Sequence, residues 1–232
     1  LGGRIDYLPF GLFTNIGQFR QIDVMREQVP KLVVGVHYSH NSGMSSRRGR
    51  YSGRILYLNN NDEESLPDYT KYGVDFLFKY RGFSALGEYV KSAATVPTDI
   101  TQRIRTDGSI STTFLVNDVQ NIDAYVKGRM MLGEACNFQL GYLFKNNFSI
   151  DGRYTHLIAD ENSFLNNATF YNRPNYYTLG VTKLSGRNYG FKIQASVTYV
   201  DGSLGINHDN DLSTDVVYDE ELLFRLITTI SF

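Results

Sequence analysis

Charged side chains recur on a single parity inside otherwise apolar stretches of this chain. In KYGVDFLFKY, Lys71, Asp75 and Lys79 share one parity while Tyr72, Val74, Phe76, Phe78 and Tyr80 hold the other. Successive side chains of an extended strand point to opposite faces, so this spacing lines fixed charges along one side. The same parity assigns Arg4, Asp6, Lys71, Asp75, Lys79, Glu88, Lys127, Arg129, Asp151, Arg153, Lys192, Glu221 and Arg225 to that side. Fixed charges along a water-filled passage select ions by sign. The basic members Arg4, Lys71, Lys79, Lys127, Arg129, Arg153, Lys192 and Arg225 are therefore candidate solute contacts, with Asp6, Asp75, Glu88, Asp151 and Glu221 as acidic counterparts. The alternative is that opposite charges on neighbouring strands pair and brace a wall.

Bond-making chemistry finds less support. Nucleophilic catalysis needs a histidine placed with a carboxylate or a serine. The histidines are His37, His40, His156 and His208; neither His37, facing inward, nor His40, at the start of a long loop, has a local Ser or Asp constellation repeated at a strand rim. They are read as wall or surface residues, and no catalytic residue is expected: the chain is not an enzyme on this reading. Asp209, Asp211 and Asp215 approach an oxygen-rich calcium loop but lack its glycine and closing glutamate. Cys136 is the single cysteine, so neither an internal disulfide nor a cysteine metal cluster can form. No metal and no cofactor are expected. With 23 Lys and Arg against 24 Asp and Glu, the charge balance argues against a nucleic-acid partner.

The elements that must position these residues are strands. Mean hydropathy is −0.28, and no segment approaches the roughly 18 to 20 apolar residues of a membrane helix. There are 17 Tyr and 15 Phe but no Trp. Alternation predicts nine strands, near 3–10, 31–40, 70–80, 82–92, 122–144, 147–157, 175–184, 189–200 and 219–232. In the fifth, Val126, Met130, Leu132, Phe138, Leu140, Tyr142 and Phe144 keep one parity, with Gly133 and Glu134 as an alternative bend. The last, DEELLFRLITTISF, places Leu222, Phe224, Leu226, Ile230 and Phe232 on one face. Phe232 is read as the signal of a closing membrane strand anchored at an interface.

Connections alternate in length. Arg81-Gly82, Lys145-Asn146 and the 185–188 turn are short, whereas 41–69, 93–121, 158–174 and 201–218 are long and polar. Short periplasmic turns opposite long extracellular loops are the pattern of an outer-membrane barrel. The expected fold is one all-β domain over 1–232, an antiparallel transmembrane β-barrel of porin type. With Phe232 at the periplasmic rim, the first strand also descends, so these residues are expected to be the C-terminal part of a larger barrel. The start, LGGRIDYLPFG, has no initiating Met or leader and is read as a mature or truncated beginning. Residues 11–30 break the rule by being long at the short-turn end: an ordered lobe or an irregular loop.

The segments LGGRIDYLPFG, KYRGFSALGEYV, NFQLGYLFKNNFSIDGRYTHL and NYYTLGVTKLSGRNYGFKIQASVTYV, with the terminal RLITTISF, resemble the C-terminal half of phosphate-selective porin O/P-type proteins of Bacteroidetes-like Gram-negative bacteria. That resemblance implies a barrel of roughly sixteen or more strands, often trimeric, in the bacterial outer membrane. It implies ion transport, with small anions such as phosphate passing a basic constriction. This chain lacks a dense arginine series, and Asp6, Asp75, Glu88 and Asp151 interrupt its basic residues. The expected function is a porin passing small hydrophilic solutes through a charged lumen. The alternative is a plugged accessory barrel acting as a structural subunit of a larger outer-membrane complex. Expected partners are outer-membrane lipid, lipopolysaccharide and further copies of the chain in a homotrimer.

Overall fold

Alternation at period two, interrupted by glycine and asparagine turns, produces an antiparallel meander. The computed structural model describes residues 1–44, 56–105, 107–163, 174–185, 190–201 and 220–230. Its main sheet comprises β1 (Gly2–Tyr7), β2 (Lys31–Asn41), β4 (Asp68–Tyr80), β5 (Phe83–Thr95), β10 (Gly133–Leu143), β11 (Phe148–Ala159), β12 (Asn175–Leu184), β13 (Phe191–Asp201) and β14 (Glu221–Ile230). These nine strands follow one another in chain order, every pair antiparallel. The expected nine-stranded, all-β organisation is therefore present. The sheet is open: β1 and β14 are its edges and are not hydrogen-bonded to each other.

Register keeps one parity on one face across the whole sheet. The row Asp6, Gly35, Asp75, Glu88, Asn137 and Thr155 shows a polar face. The opposite face is apolar and exposed on every strand, as Ile5, Val36, Val74, Phe83, Leu140, Ile150, Leu179, Ile193 and Phe224 illustrate. Rings crowd that face at two levels. Tyr38 pairs with Tyr72, and Tyr154, Tyr177 and Tyr199 form a cross-strand ladder with centroids 5.1 and 6.2 Å apart. Toward the short-turn end, Phe78 meets Phe83 at 6.2 Å and Tyr142 meets Phe144 at 5.0 Å. The β4–β5 hairpin closes through Arg81 (φ 50) and Gly82 (φ 93), the two left-handed residues that a primed turn requires.

Residues 122–132 correct the expected fifth strand. Residues Ile122–Lys127 form a helix, α1, in which the Asn121 side chain accepts from the Ala124 amide at 3.0 Å. Asp123 and Lys127 pair at 2.8 Å one turn apart, and Val126 and Met130, spaced by four, are buried together with Leu132. Their shared parity imitated a strand, but Ile122, Tyr125 and Val126, at i, i+3 and i+4, also make one helical face. The strand starts at Gly133, whose φ of +129° is closed to side-chain-bearing residues.

Two of the long connections fold rather than remaining solvated. β3 (Leu56–Leu58), β6 (Gln102–Ile104) and β7 (Ile110–Ser111) form a small sheet, and β8 (Leu115–Val116) with β9 (Val119–Gln120) form a hairpin. With α1 they enclose a core of Tyr57, Ile100, Phe114, Tyr125, Val126, Met130 and Leu132. Tyr69 and Ala94, on the polar-face parity of β4 and β5, pack against this lobe. The 185–188 turn lies largely, and the 201–218 loop with Phe232 wholly, outside the described residues, apart from Asp201 at the end of β13.

Candidate functional site

Each strand contributes side chains to the polar face at two-residue intervals, and the rows differ sharply in charge. On β1, β2 and β4, Arg4 donates to Asp75 at 2.6 and 2.8 Å and pairs with Asp6 at 2.8 Å. The guanidinium lies over Gly35, where a Cβ would collide with it. Arg4, Asp6 and Asp75 thus brace one another, as the pairing alternative expects. Glu88 stands beside Asp75 in register, and Lys71 is exposed on the same face.

Lys79 departs from its expected role. It is 2% exposed, and its amine donates to the carbonyls of Gly17 at 2.9 Å and Ile22 at 3.0 Å. It therefore holds the segment between β1 and β2 and is closed to solute. That segment is ordered: a 3₁₀ stretch, Thr14–Phe19, leads to buried Asp23 and Glu27. Asp23 accepts from the Gly82 amide at 2.7 Å and the Glu27 amide at 3.1 Å. Glu27 accepts from the Thr14 amide at 2.6 Å and hydroxyl at 3.0 Å. Arg26 donates to the carbonyls of Leu143 and Arg81. Phe13 packs with Val33 and Leu77, and Val24 with Leu143 and Leu184. The segment forms a floor across the short-turn end of the polar face. Asp23, Arg26 and Glu27 escaped the sequence reading. Their signal was the apolar content of 11–30 (Leu12, Phe13, Ile16, Ile22, Val24), too high for a solvated loop.

Between this floor and the strands β10 to β14 lies a cavity of about 180 Å³. Gln21 and Ile22 cover it; Gln139, Asp151, Arg153, Thr178, Gly180, Thr182, Gln194, Ser196, Arg225 and Ile227 line it. Hydroxyls and amides predominate: Thr178 and Thr198 are 2.8 Å apart, and Gln194 donates to Thr182 at 3.2 Å. Asp151 accepts from Ser149 at 3.1 Å and is tucked over Gly141. Among the described residues, neither Arg153 nor Arg225 has an ion-pair partner within 4.0 Å. Lys192 lies beyond the lining, and Glu221 ends the polar row of β14 next to Val200.

Lys127 and Arg129 are corrected as well. Both belong to the lobe: Lys127 to α1, and Arg129 just beyond it, 3.4 Å from the centroid of the Tyr125 ring and 2.6 Å from the Tyr125 carbonyl. Arg103 packs on the same ring at 4.5 Å. Burial within the lobe pushes the Tyr57 hydroxyl up to about 12, because desolvation disfavours the phenolate.

A serine–histidine contact does form at the long-loop rim. His40 places Nε2 3.1 Å from Ser42 and Nδ1 3.0 Å from Thr70. Asp68 stands 4.0 Å from that same Nε2, so among the described residues no carboxylate orients the ring from behind as a triad requires. The amides of Gly43 and Met44 already donate to Asp68 and Pro67, leaving neither for an oxyanion. His156 bonds Asn175 at 2.8 Å. His208, Asp209, Asp211 and Asp215 lie outside the described residues. No group of three or more His, Cys, Asp or Glu with metal-binding geometry occurs among the described residues.

No family model, curated protein or solved structure matches this chain. The functional reading rests on the two faces of the sheet and on what covers them.

Proposed function

We propose that this chain is a stretch of wall in an outer-membrane β-barrel of porin type, whose polar face lines a narrowed path for small hydrophilic solutes, anions among them. The observation that carries this reading is the apolar face, continuous over nine strands and bordered by rings at two levels. Exposing it to water forgoes about 1.5 to 3 kcal/mol for each large side chain, whereas hydrocarbon removes that cost. Tyr72 and Tyr80 are eight residues apart on β4. That is about 27 Å along a strand, or about 20 Å along the membrane normal at the usual tilt, close to the apolar band of about 25 Å that such barrels present.

The nine alternating strands leave β1 and β14 pointing the same way. An all-antiparallel barrel that contains them needs an odd number of further strands between those edges, in line with the larger barrel expected above. The resemblance to phosphate-selective porin O/P-type proteins supports the same placement in a Gram-negative outer membrane, with lipopolysaccharide meeting the long-loop end and trimers as the assembly. A second reading, an occluded accessory barrel within a larger complex, draws on the floor across the short-turn end and on the lobe packed against Tyr69 and Ala94.

The chain has no Trp, so single tryptophans report without background. In vesicles with brominated acyl chains, Phe76→Trp and Leu179→Trp are expected to be quenched strongly, and Thr178→Trp and Gln194→Trp weakly. Equal quenching at both parities removes the membrane reading. In planar bilayers, conductance with an anion preference that falls in Arg225→Ala supports the path, and zero conductance supports the occluded barrel.

A further inference from the structure

The cavity under Gln21 and Ile22 is lined by charged, hydroxyl and amide side chains. Arg153 on β11 and Arg225 on β14 stand at its two sides, with β12 and β13 between them. Three inter-strand spacings of about 4.8 Å separate their backbones by about 14 Å in a flat sheet, and both side chains are exposed on the polar face that lines the cavity. Gly180 leaves the middle of that span without a side chain. Thr178, Ser196 and Gln194 supply hydroxyl and amide groups around it, while Ile22 and Ile227 add apolar surface.

The charges set a limit on the occupant. Among the described residues of the lining, two guanidinium groups face one carboxylate, Asp151, which is engaged by Ser149 and lies over Gly141. A net single positive charge suits a monoanion and leaves a multiply charged anion underbalanced. The remaining polar groups are neutral donors and acceptors, which recognise hydroxyls and must be satisfied when water is displaced. The cavity, about 180 Å³ and open to solvent on one side, has room for several waters and so for a single sugar ring or a short hydroxy acid.

We infer that this cavity is a binding subsite for a small, hydroxyl-rich monoanion such as a sugar acid, held by Arg153 and Arg225 at its charge and by Thr178, Gln194 and Ser196 along its hydroxyls. This deepens the solute-path reading and rests on it for its place in transport, while binding itself requires no passage. The test is calorimetric titration of the full chain, folded in detergent, with D-glucuronate, D-glucose, acetate and inorganic phosphate. Glucuronate is expected to bind about tenfold or more tightly than either glucose, which lacks the charge, or acetate, which lacks the hydroxyls. Arg225→Gln is expected to weaken glucuronate by about tenfold while leaving glucose unchanged. Arg153→Gln should do the same; Arg225, on the exposed edge strand, keeps the test available if the Arg153 variant fails to fold.

Phosphate binding as tightly as glucuronate, no measurable glucuronate binding, or indifference to Arg225→Gln overturns the inference. Glucuronate binding with zero conductance leaves the subsite standing and removes the path. Conductance without glucuronate binding does the reverse.

Discussion

Lys79 and Arg225 lie on the same face of the sheet and carry the same charge, yet their surroundings give them different work. Lys79 is enclosed by the floor and spends its donors on the Gly17 and Ile22 carbonyls, whereas Arg225 is exposed at the cavity wall. Parity in the sequence placed both on this face, because strand geometry alone decides parity. It could not separate them, since burial of Lys79 depends on a segment about sixty residues earlier folding back against it. Lys79→Met should strand the Gly17 and Ile22 carbonyls and remove the positive charge near Asp23 and Glu27. A local destabilisation of about 3 kcal/mol or more is expected, read as faster proteolytic cutting within residues 11–30 while the strand content of the circular dichroism spectrum is retained. Unchanged protection of that segment would show that the lysine is not what holds it.

Strands and tight turns were legible in the sequence, and the elements misread are those whose pattern serves two periods. Eight of the nine predicted strands match sheet strands to within a few residues, and the Arg81-Gly82 turn announced itself through its glycine. Residues 122–132 failed because Ile122, Val126, Met130 and Leu132 satisfy strand parity while Ile122, Tyr125 and Val126 also make a helical face. The lobe they join was invisible for a further reason: its core draws on residues from 57 to 132, none of which makes a long apolar run locally. Its enclosure has a pH signature. Tyr57 ionises near 12 in the folded lobe against an ordinary value of 10.0. A raised value means that folding favours the protonated form, so this contribution is full below pH 10.0 and is lost as pH rises toward 12. Subtracting the phenolate absorbance of Tyr57→Phe from that of the parent should give a titration centred near 12. A midpoint near 10.0 would mean that the lobe is open to water.

At the scale of the molecule, the polar face is bounded by the lobe toward one end and the floor at the other, and the floor is pinned to three strand ends by Asp23 and Arg26. If the polar face lines a path, the floor sets its width. Asp23→Ala combined with Arg26→Ala leaves the Gly82 amide and the Leu143 and Arg81 carbonyls without these partners, at about 1 to 3 kcal/mol for each buried group. Single-channel conductance is expected to rise severalfold in that variant, and an unchanged conductance would place the constriction elsewhere. The alternation of apolar and polar residues by itself determined the strands, their order of short and long connections, and which side chains share a face, because those follow from chain geometry at short range. Tertiary structure alone decided which charges are neutralised, which are buried and which line the cavity. Those outcomes depend on Arg4 meeting Asp75, Lys79 meeting Gly17 and Arg26 meeting Leu143 across 62 to 117 residues, contacts that no local pattern encodes.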